Sequence, residues 1–151
     1  GLHLVAHAGE EGTAEYIRQT LDVLHVERID HGVRIIEDPT LVRRVAAEGI
    51  GLTVCPLSNL RLQVVDDVAK VPIRQLLDSG VCVTVNSDDP AYFGGYIADN
   101  YAALAETGLS IAALADIAGN SIEACFAPEA DKAAMRTELD QWKTEYSDLL
   151  G

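Results

Sequence analysis

The chain has 151 residues, 48% of them hydrophobic, and a formal net charge of −13. This length is enough for one domain with a sizeable core, and this hydrophobic content argues against a disordered chain. The negative charge argues against nucleic acid and anionic membrane surfaces as partners, because both need clustered Lys and Arg, and no apolar run approaches the ~20 residues of a membrane span.

Short apolar runs alternate with helical patterns along the first 95 residues. Strands are predicted over residues 2–6, 26–29, 51–55 and 81–85, and helices over 13–25, 38–49 and 71–80. Asp38 and Pro39 give the clearest helix start, since an aspartate can cap the first turn and proline fits its first position. Strands spaced by roughly 25–30 residues, with helices between them, indicate βαβ units and therefore a parallel sheet.

The remaining residues are predicted to be helical. Four helices are predicted, over residues 96–106, 110–118, 120–128 and 129–150. Asn120 and Ser121 are expected to cap the third helix and Pro128 to end it. The last helix carries an apolar stripe that is typical of core or interface packing. The chain is therefore predicted to be a single α/β domain, residues 1–151, in which four βα units (about 1–95) precede a helical end (about 96–151).

Four βα units are half of an eight-fold barrel, and in such barrels the reactive groups lie at the C-terminal strand ends. Polar residues of reactive types follow all four predicted strands: His7 and Glu10, then His31, then Ser58 and Asn59, then Asp88 and Asp89. The two adjacent aspartates repel each other, so a cation or a hydrogen-bond partner explains them better than folding alone. The sequence therefore predicts one metal-dependent hydrolytic site at these ends.

The candidate residues differ in the chemistry that they can supply. His7 and Asp88 are predicted zinc ligands, since a neutral imidazole and a carboxylate suit a borderline divalent ion. His3 is too far along the same strand to share that ion, because four residues span roughly 13 Å, and it is expected to pack within the sheet. His31 has either a functional or an ordinary structural role. Glu10 is either a proton donor or a carboxylate facing a helix dipole.

The three cysteines, Cys55, Cys82 and Cys125, are scattered along the chain. They form no Cys-x-x-Cys pair, which excludes the cysteine-ligated zinc site of nucleic-acid deaminases. They are expected to fill the core. Their odd number fits a reducing compartment, so a cytoplasmic location is predicted. The chain opens directly on a strand pattern, which leads us to expect that an earlier part is missing.

Four short sequence segments lie at or near the four predicted strand ends, one at each. They are His7-Ala8-Gly9-Glu10, Arg28-Ile29-Asp30-His31-Gly32-Val33-Arg34, Val54-Cys55-Pro56-Leu57-Ser58-Asn59 and Asn86-Ser87-Asp88-Asp89-Pro90. Together they resemble the adenosine/adenine deaminase family, zinc-dependent barrels of the amidohydrolase group. The resemblance covers nearly all of the chain and implies the C-terminal half of a TIM-type (β/α)8 barrel, followed by extra C-terminal helices.

The resemblance also implies catalytic roles. His7 and Asp88 would be ligands of the one zinc ion of a complete active site. Glu10 would donate a proton to the purine N1, and His31 would orient or deprotonate the attacking water. Protonation of N1 makes C6 more electrophilic, and general acids and bases each contribute on the order of 10²–10⁴ in rate.

Substrate contacts are implied as well. Gly9 would offer its backbone N–H to the purine N3, and Asp89 would hydrogen-bond the purine N7. Two features favour adenine over adenosine within the family: Asp30 stands where adenosine enzymes usually have glycine, and residues 91–96 match the adenine-specific type. Bulky aromatic side chains there could occupy the space that a ribose needs.

One feature departs from the family pattern. A His-x-His pair supplies two more zinc ligands in the family, and this chain has none. The isolated chain is therefore expected to bind zinc weakly and to lack deaminase activity. Three functions remain open: hydrolytic deamination of adenine in purine salvage, deamination of adenosine or a modified adenine, and an inactive half-barrel that serves binding or assembly. Open barrel edges would also favour pairing with another chain, including a homo-oligomer.

Overall fold

The fold is built on one parallel sheet of four strands in the order β1-β2-β3-β4. The computed structural model describes residues 1–151. The strands are β1 (Val5–Ala8), β2 (Arg28–His31), β3 (Gly51–Val54) and β4 (Val83–Val85). Each strand pairs in parallel with the next one along the chain, so all four C-terminal ends lie at the same edge of the sheet. This arrangement confirms the predicted α/β half barrel.

Helices connect the strands and follow the last one. They are α1 (Ala14–Gln19), α2 (Pro39–Glu48), α3 (Pro56–Arg61), α4 (Ile73–Asp78), α5 (Pro90–Phe93), α6 (Ile97–Glu106), α7 (Ile111–Ala124), α8 (Glu129–Glu145) and α9 (Ser147–Leu150). A π-helical turn, Thr20–Leu24, continues α1, and 3-10 turns lie at Val33–Glu37 and Val68–Lys70. None of these helices combines the length and the apolar character needed to cross a bilayer.

The first two strands begin later than the sequence predicted. Leu2 and Leu4 were expected in β1, yet both precede the strand and are exposed. Val26 was expected in β2, but its backbone N–H instead donates to Thr20 at the end of the preceding helical turn. Strand β1 also ends later, at Ala8 rather than at residue 6, so His7 lies within the strand rather than beyond its end.

Helix α2 begins and ends as the sequence predicted. The Asp38 carboxylate accepts hydrogen bonds from the backbone N–H groups of Thr40 and Leu41, at 2.9 and 3.1 Å. The Leu41 bond is the main reason why the pKa of Asp38 lies below its ordinary value. Gly49 closes the helix with a positive φ of 67°, a conformation that glycine adopts without strain.

The prediction of a helix break at Asn120 and Ser121 was wrong, because α7 is continuous. The Asn120 amide donates to the backbone oxygen of Val83 in β4, at 3.0 Å. The Ser121 hydroxyl donates to the backbone oxygen of Ile117 within the same helix, at 3.2 Å. Side chains that could have capped a new helix therefore bind elsewhere, and one of them attaches α7 to the sheet.

The last predicted helix is interrupted at Tyr146, so that α8 and α9 replace one helix over residues 129–150. Its apolar stripe is only partly covered. Leu139 and Trp142 line an apolar cavity of about 320 Å³ together with residues of α6 and α7, whereas Met135 and Tyr146 remain partly exposed.

The core lies between the sheet and the helices on its outer side. Its largest fully buried side chains are Ile17, Ile29, Ile35, Leu41, Leu52, Ile73, Leu76, Leu104 and Ile117. His3 does not pack within the sheet as expected, because it precedes β1. Its ring stacks on Phe126 with centroids 4.1 Å apart, and its Nδ1 lies 2.8 Å from Glu27. Of the three cysteines, only Cys55 is fully buried, and all three are free thiols.

Candidate active site

The C-terminal strand ends surround a polar cavity of about 420 Å³. Three of the six site residues predicted from the sequence, namely His7, His31 and Asp88, line it. A second cavity of about 310 Å³ shares His7 with the first and is lined by Gly9 and Glu10. Stretches of chain far apart in sequence thus bring five predicted residues to one edge of the sheet.

Asp89 is the predicted residue that lines neither cavity. Its carboxylate accepts a hydrogen bond from the backbone N–H of Tyr92, at 3.1 Å, and so caps the short helix α5. The residue is exposed at the rim. The predicted contact between Asp89 and a purine therefore remains a prediction.

Two site residues have left-handed backbone conformations without being glycine. The φ angle is 68° at His31 and 58° at Asp88. Such conformations are uncommon outside glycine and asparagine, cost of order 1–3 kcal/mol each, and cluster at functional sites. Both lie at a strand end, so the backbone strain coincides with the residues on which the predicted chemistry depends.

The Glu10 carboxyl group accepts one hydrogen bond from another element and lies close to a second side chain. Asn59 of α3 donates from Nδ2 to Glu10 Oε1 at 3.2 Å, and the His31 Nδ1 lies 3.2 Å from the same oxygen. Asn59 is fully buried, so its position is fixed by the core. The sequence marked Asn59 as a polar residue at a strand end but gave it no role, and the structure makes it the residue that orients Glu10.

His31 is almost completely buried, with only 4% of its side chain exposed. Burial lowers the pKa of its imidazole, and the nearby Glu10 carboxylate opposes this effect only in part. The ring is therefore neutral near pH 7 and can accept a proton. Its Nδ1 is buried and has no partner with hydrogen-bond geometry, despite the short distance to Glu10.

Asp88 lies on the other side of His31. Its Oδ2 is 4.0 Å from His31 Nε2 and accepts a hydrogen bond from the Ser58 hydroxyl at 2.7 Å. Ser58 is fully buried. The sequence pointed to Ser58 only as a polar residue at the end of β3, and the partner that it supports could not be deduced.

The donor groups around the cavity fit a metal ion. Ligand atoms of His31, Cys55 and Asp88 all lie within 4.8 Å of one another, and the His7 ring centroid is 5.1 Å from that of His31. Nitrogen and oxygen donors in this mixture suit a borderline divalent ion. Burial raises the pKa of Cys55 to about 12, so this group is a neutral thiol. Its location directly after β3 was the only signal in the sequence that it would adjoin the site.

Gly9 connects the site to the core. Its φ is 68°, and a Cβ built there would lie 2.3 Å from Cδ1 of Ile17, whereas Gly49 has a similar φ of 67° and open space around it. Gly49→Ala is expected to cost about 1–3 kcal/mol from the backbone conformation alone. Gly9→Ala is expected to cost about 1–3 kcal/mol more, through overpacking against Ile17. Urea unfolding of both variants measures the difference, and equal losses would show that Ile17 moves aside freely.

The sequence as a whole matches a protein-family model described as adenosine deaminase over residues 1–142. The chain belongs to the adenosine deaminase family. A curated relative, the adenine deaminase of Zymomonas mobilis subsp. mobilis, is 55% identical over 143 residues, which are 94% of this chain and 42% of that protein. This family membership confirms the resemblance inferred from the strand-end residues.

Two solved structures share the fold. The adenine deaminase of Arthrobacter aurescens matches with a TM-score of 0.93 and 52% identity, covering 95% of this chain and 44% of that one. An amidohydrolase from Burkholderia ambifaria, solved with bound Zn, matches with a TM-score of 0.89 and 30% identity, covering 99% of this chain and 43% of that one. The chain thus spans less than half the length of the relatives that it matches.

Proposed function

We propose that this chain supplies the C-terminal half of an active site that deaminates adenine hydrolytically, giving hypoxanthine and ammonia in purine salvage. The observation that carries this proposal is the convergence of Glu10, His31 and Asp88, whose facing atoms lie 3.2 and 4.0 Å apart. A proton donor, a neutral base and a metal-binding carboxylate are the groups that such a reaction needs. The names of the Zymomonas and Arthrobacter relatives support adenine as the substrate.

Zinc is the proposed metal, one ion per complete active site. His7 and Asp88 would hold it, together with ligands from outside these 151 residues, since a catalytic zinc usually has three or more protein ligands. When bound, zinc would make a water molecule acidic enough to attack at neutral pH. The chain alone is expected to bind zinc weakly and to be inactive.

The chain's own residues would move the protons. His31, neutral because of its burial, would accept a proton from the water as its oxygen bonds to C6 of adenine. Glu10, oriented by Asn59, would donate a proton to N1, which makes C6 more electrophilic. The bond between C6 and the amino nitrogen then breaks as this nitrogen takes the proton held by His31 and leaves as ammonia. The C6 hydroxyl returns a proton to the Glu10 carboxylate, and the proton on N1 stays in hypoxanthine. One adenine and one water give one hypoxanthine and one ammonia.

The Gly9 N–H and the Asp89 carboxylate would bind the purine N3 and N7. Selection of adenine over adenosine would come from the segment that follows Asp89. Tyr92 is exposed, and its ring packs edge-on against Phe93 with centroids 5.1 Å apart. The backbone oxygen of Phe93 accepts a hydrogen bond from Arg61 Nε at 3.1 Å. This pair of rings is proposed to fill the volume that a ribose would require.

The partners of the chain and its cellular location are also matters of proposal. Strands β1 and β4 are the outer strands of the sheet, and open edges favour pairing with further strands or with a second copy. Three free cysteines fit a cytoplasmic location. No nucleic acid or membrane surface is proposed as a partner, in keeping with the net charge of −13.

The test uses a complete barrel, in which this chain replaces the matching part of the Arthrobacter aurescens enzyme. We expect this zinc-loaded protein to release ammonia from adenine with a higher kcat/KM than from adenosine or N6-methyladenine. The unaltered Arthrobacter enzyme serves as the control for folding and assay. Faster turnover of adenosine would overturn the substrate assignment. A folded, zinc-loaded barrel without any deaminase activity would instead favour the binding-module function.

A further inference from the structure

One carboxylate at the site has no part in the reaction described above. Asp30 lies in β2, next to His7 in the register of β1 and β2, and lines the 420 Å³ cavity. Only 19% of its side chain is exposed. A carboxylate at this depth needs partners, and the identity of those partners indicates its role.

One oxygen of Asp30 is already engaged. The Thr53 hydroxyl donates to Oδ1 at 2.8 Å, and Arg28 Nε lies 3.5 Å from the same oxygen. The Arg28 guanidinium is itself placed over the Phe126 ring, 4.8 Å from its centroid. The Thr53 hydrogen bond thus orients the carboxylate, and the Arg28 cation adds an electrostatic attraction without a hydrogen bond.

The second oxygen of Asp30 faces the proposed zinc ligand. Its Oδ2 lies 3.6 Å from Nδ1 of His7. This distance exceeds that of a direct hydrogen bond, but 71% of the His7 side chain is exposed, so a small rotation of its ring can close the gap. No other carboxylate of the chain lies within 4.0 Å of the His7 ring nitrogens.

We propose that Asp30 is a positioning residue that accepts a hydrogen bond from Nδ1 of His7 and thereby leaves Nε2 to bind the metal. A neutral imidazole has a single N–H, so a carboxylate at one nitrogen fixes the lone pair on the other. Carboxylates commonly orient histidine ligands of zinc in this way, and their loss typically weakens metal binding by 10–100-fold. The inference rests on the proposed role of His7 as a metal ligand.

The geometry separates this role from direct metal binding by Asp30. Oδ1 accepts the hydrogen bond from Thr53 and lies 3.5 Å from Arg28 Nε, and Oδ2 faces Nδ1 of His7. Arg28 and Thr53 then act indirectly, by fixing the acceptor.

The experiment measures zinc affinity and the His7 tautomer. In the complete barrel, the Kd for zinc is determined by competition with a chromophoric chelator for the unaltered protein, Asp30→Ala, Thr53→Val and Asp140→Ala. Asp140 lies on the exposed side of α8 and serves as the control for loss of one negative charge. In the 151-residue chain, which has four histidines, long-range ¹⁵N spectra report which nitrogen of His7 carries the proton, with His7→Gln as the assignment control.

We expect Asp30→Ala to weaken zinc binding by about 10–100-fold, Thr53→Val to weaken it by less, and Asp140→Ala to leave it unchanged. The proton of His7 should lie on Nδ1 in the unaltered chain and be shared between both nitrogens in Asp30→Ala. Unchanged zinc affinity and tautomer in Asp30→Ala would overturn the inference. If Asp30→Ala does not fold, unchanged values in Thr53→Val would overturn it. A complete barrel that binds no zinc before any substitution would contradict the proposed function instead.

Discussion

Replacement of Glu10 by glutamine in the complete barrel is expected to lower kcat for adenine by about 10²–10⁴-fold, with zinc content unchanged. Glutamine keeps the shape of the side chain and can still accept the hydrogen bond from Asn59, but it has no proton to give to a ring nitrogen. Steady-state kinetics and metal analysis of the same preparation measure both quantities.

A matched control for this substitution lies on the same loop–helix segment. Glu15, on the exposed face of α1, contacts only Arg18 and Gln19 of its own helix, so Glu15→Gln should retain full activity. If Glu10→Gln kept more than a tenth of the activity, the proton would have to come from another group. The assignment of Glu10 as the donor would then be wrong.

Replacement of Asp88 by alanine is expected to have a second large effect, loss of the metal. Since substitution of residues that merely support zinc ligands weakens binding by 10–100-fold, loss of a ligand should weaken it by more than about 100-fold. Activity should fall with zinc content. In the unaltered barrel, a chelator should abolish activity and added zinc should restore it, whereas added zinc should not restore Asp88→Ala.

Asp140→Ala provides the control for charge, because its carboxylate is exposed on α8 and far along the chain from the strand ends. It should retain both zinc and activity. Tight zinc binding in Asp88→Ala would mean that His7 and the ligands from the rest of the barrel hold the metal without this carboxylate. In that case the ligand role of Asp88 would have to be abandoned.

Much of the fold followed from local patterns in the sequence. Apolar runs and the spacing between them predicted four parallel strands, and Asp38 predicted the start of α2, because hydrophobic burial and helix capping depend on nearby residues. The candidate site residues could also be found from the sequence, because the predicted strands order their ends. In a parallel sheet, strands that follow one another along the chain place their ends side by side, so His7, His31 and Asp88 could be grouped without coordinates.

Other features depended on contacts between distant residues and could not be predicted. Asn120 has the chemistry of a helix cap, but its amide binds Val83 across 37 residues of sequence, and so α7 continues past it. Asp30 appeared in the sequence only as a difference from related enzymes. Its neighbours on β1 and β3 give it a physical role, and these became apparent only from the register of the sheet. The roles of the individual site residues remain predictions.

The first turn of α3 fixes the spacing between two of the proposed catalytic groups. Its adjacent residues Ser58 and Asn59 bind Asp88 and Glu10, and α6 holds the same turn because Asn100 Oδ1 accepts from the Leu57 backbone N–H at 3.1 Å. The distance between Glu10, the proposed acid, and Asp88, the proposed metal ligand, is therefore set by two residues that are adjacent in one helix turn. A residue inserted between Ser58 and Asn59 would therefore shift Glu10 and Asp88 relative to each other, whereas an insertion at the exposed rim would leave their distance unchanged.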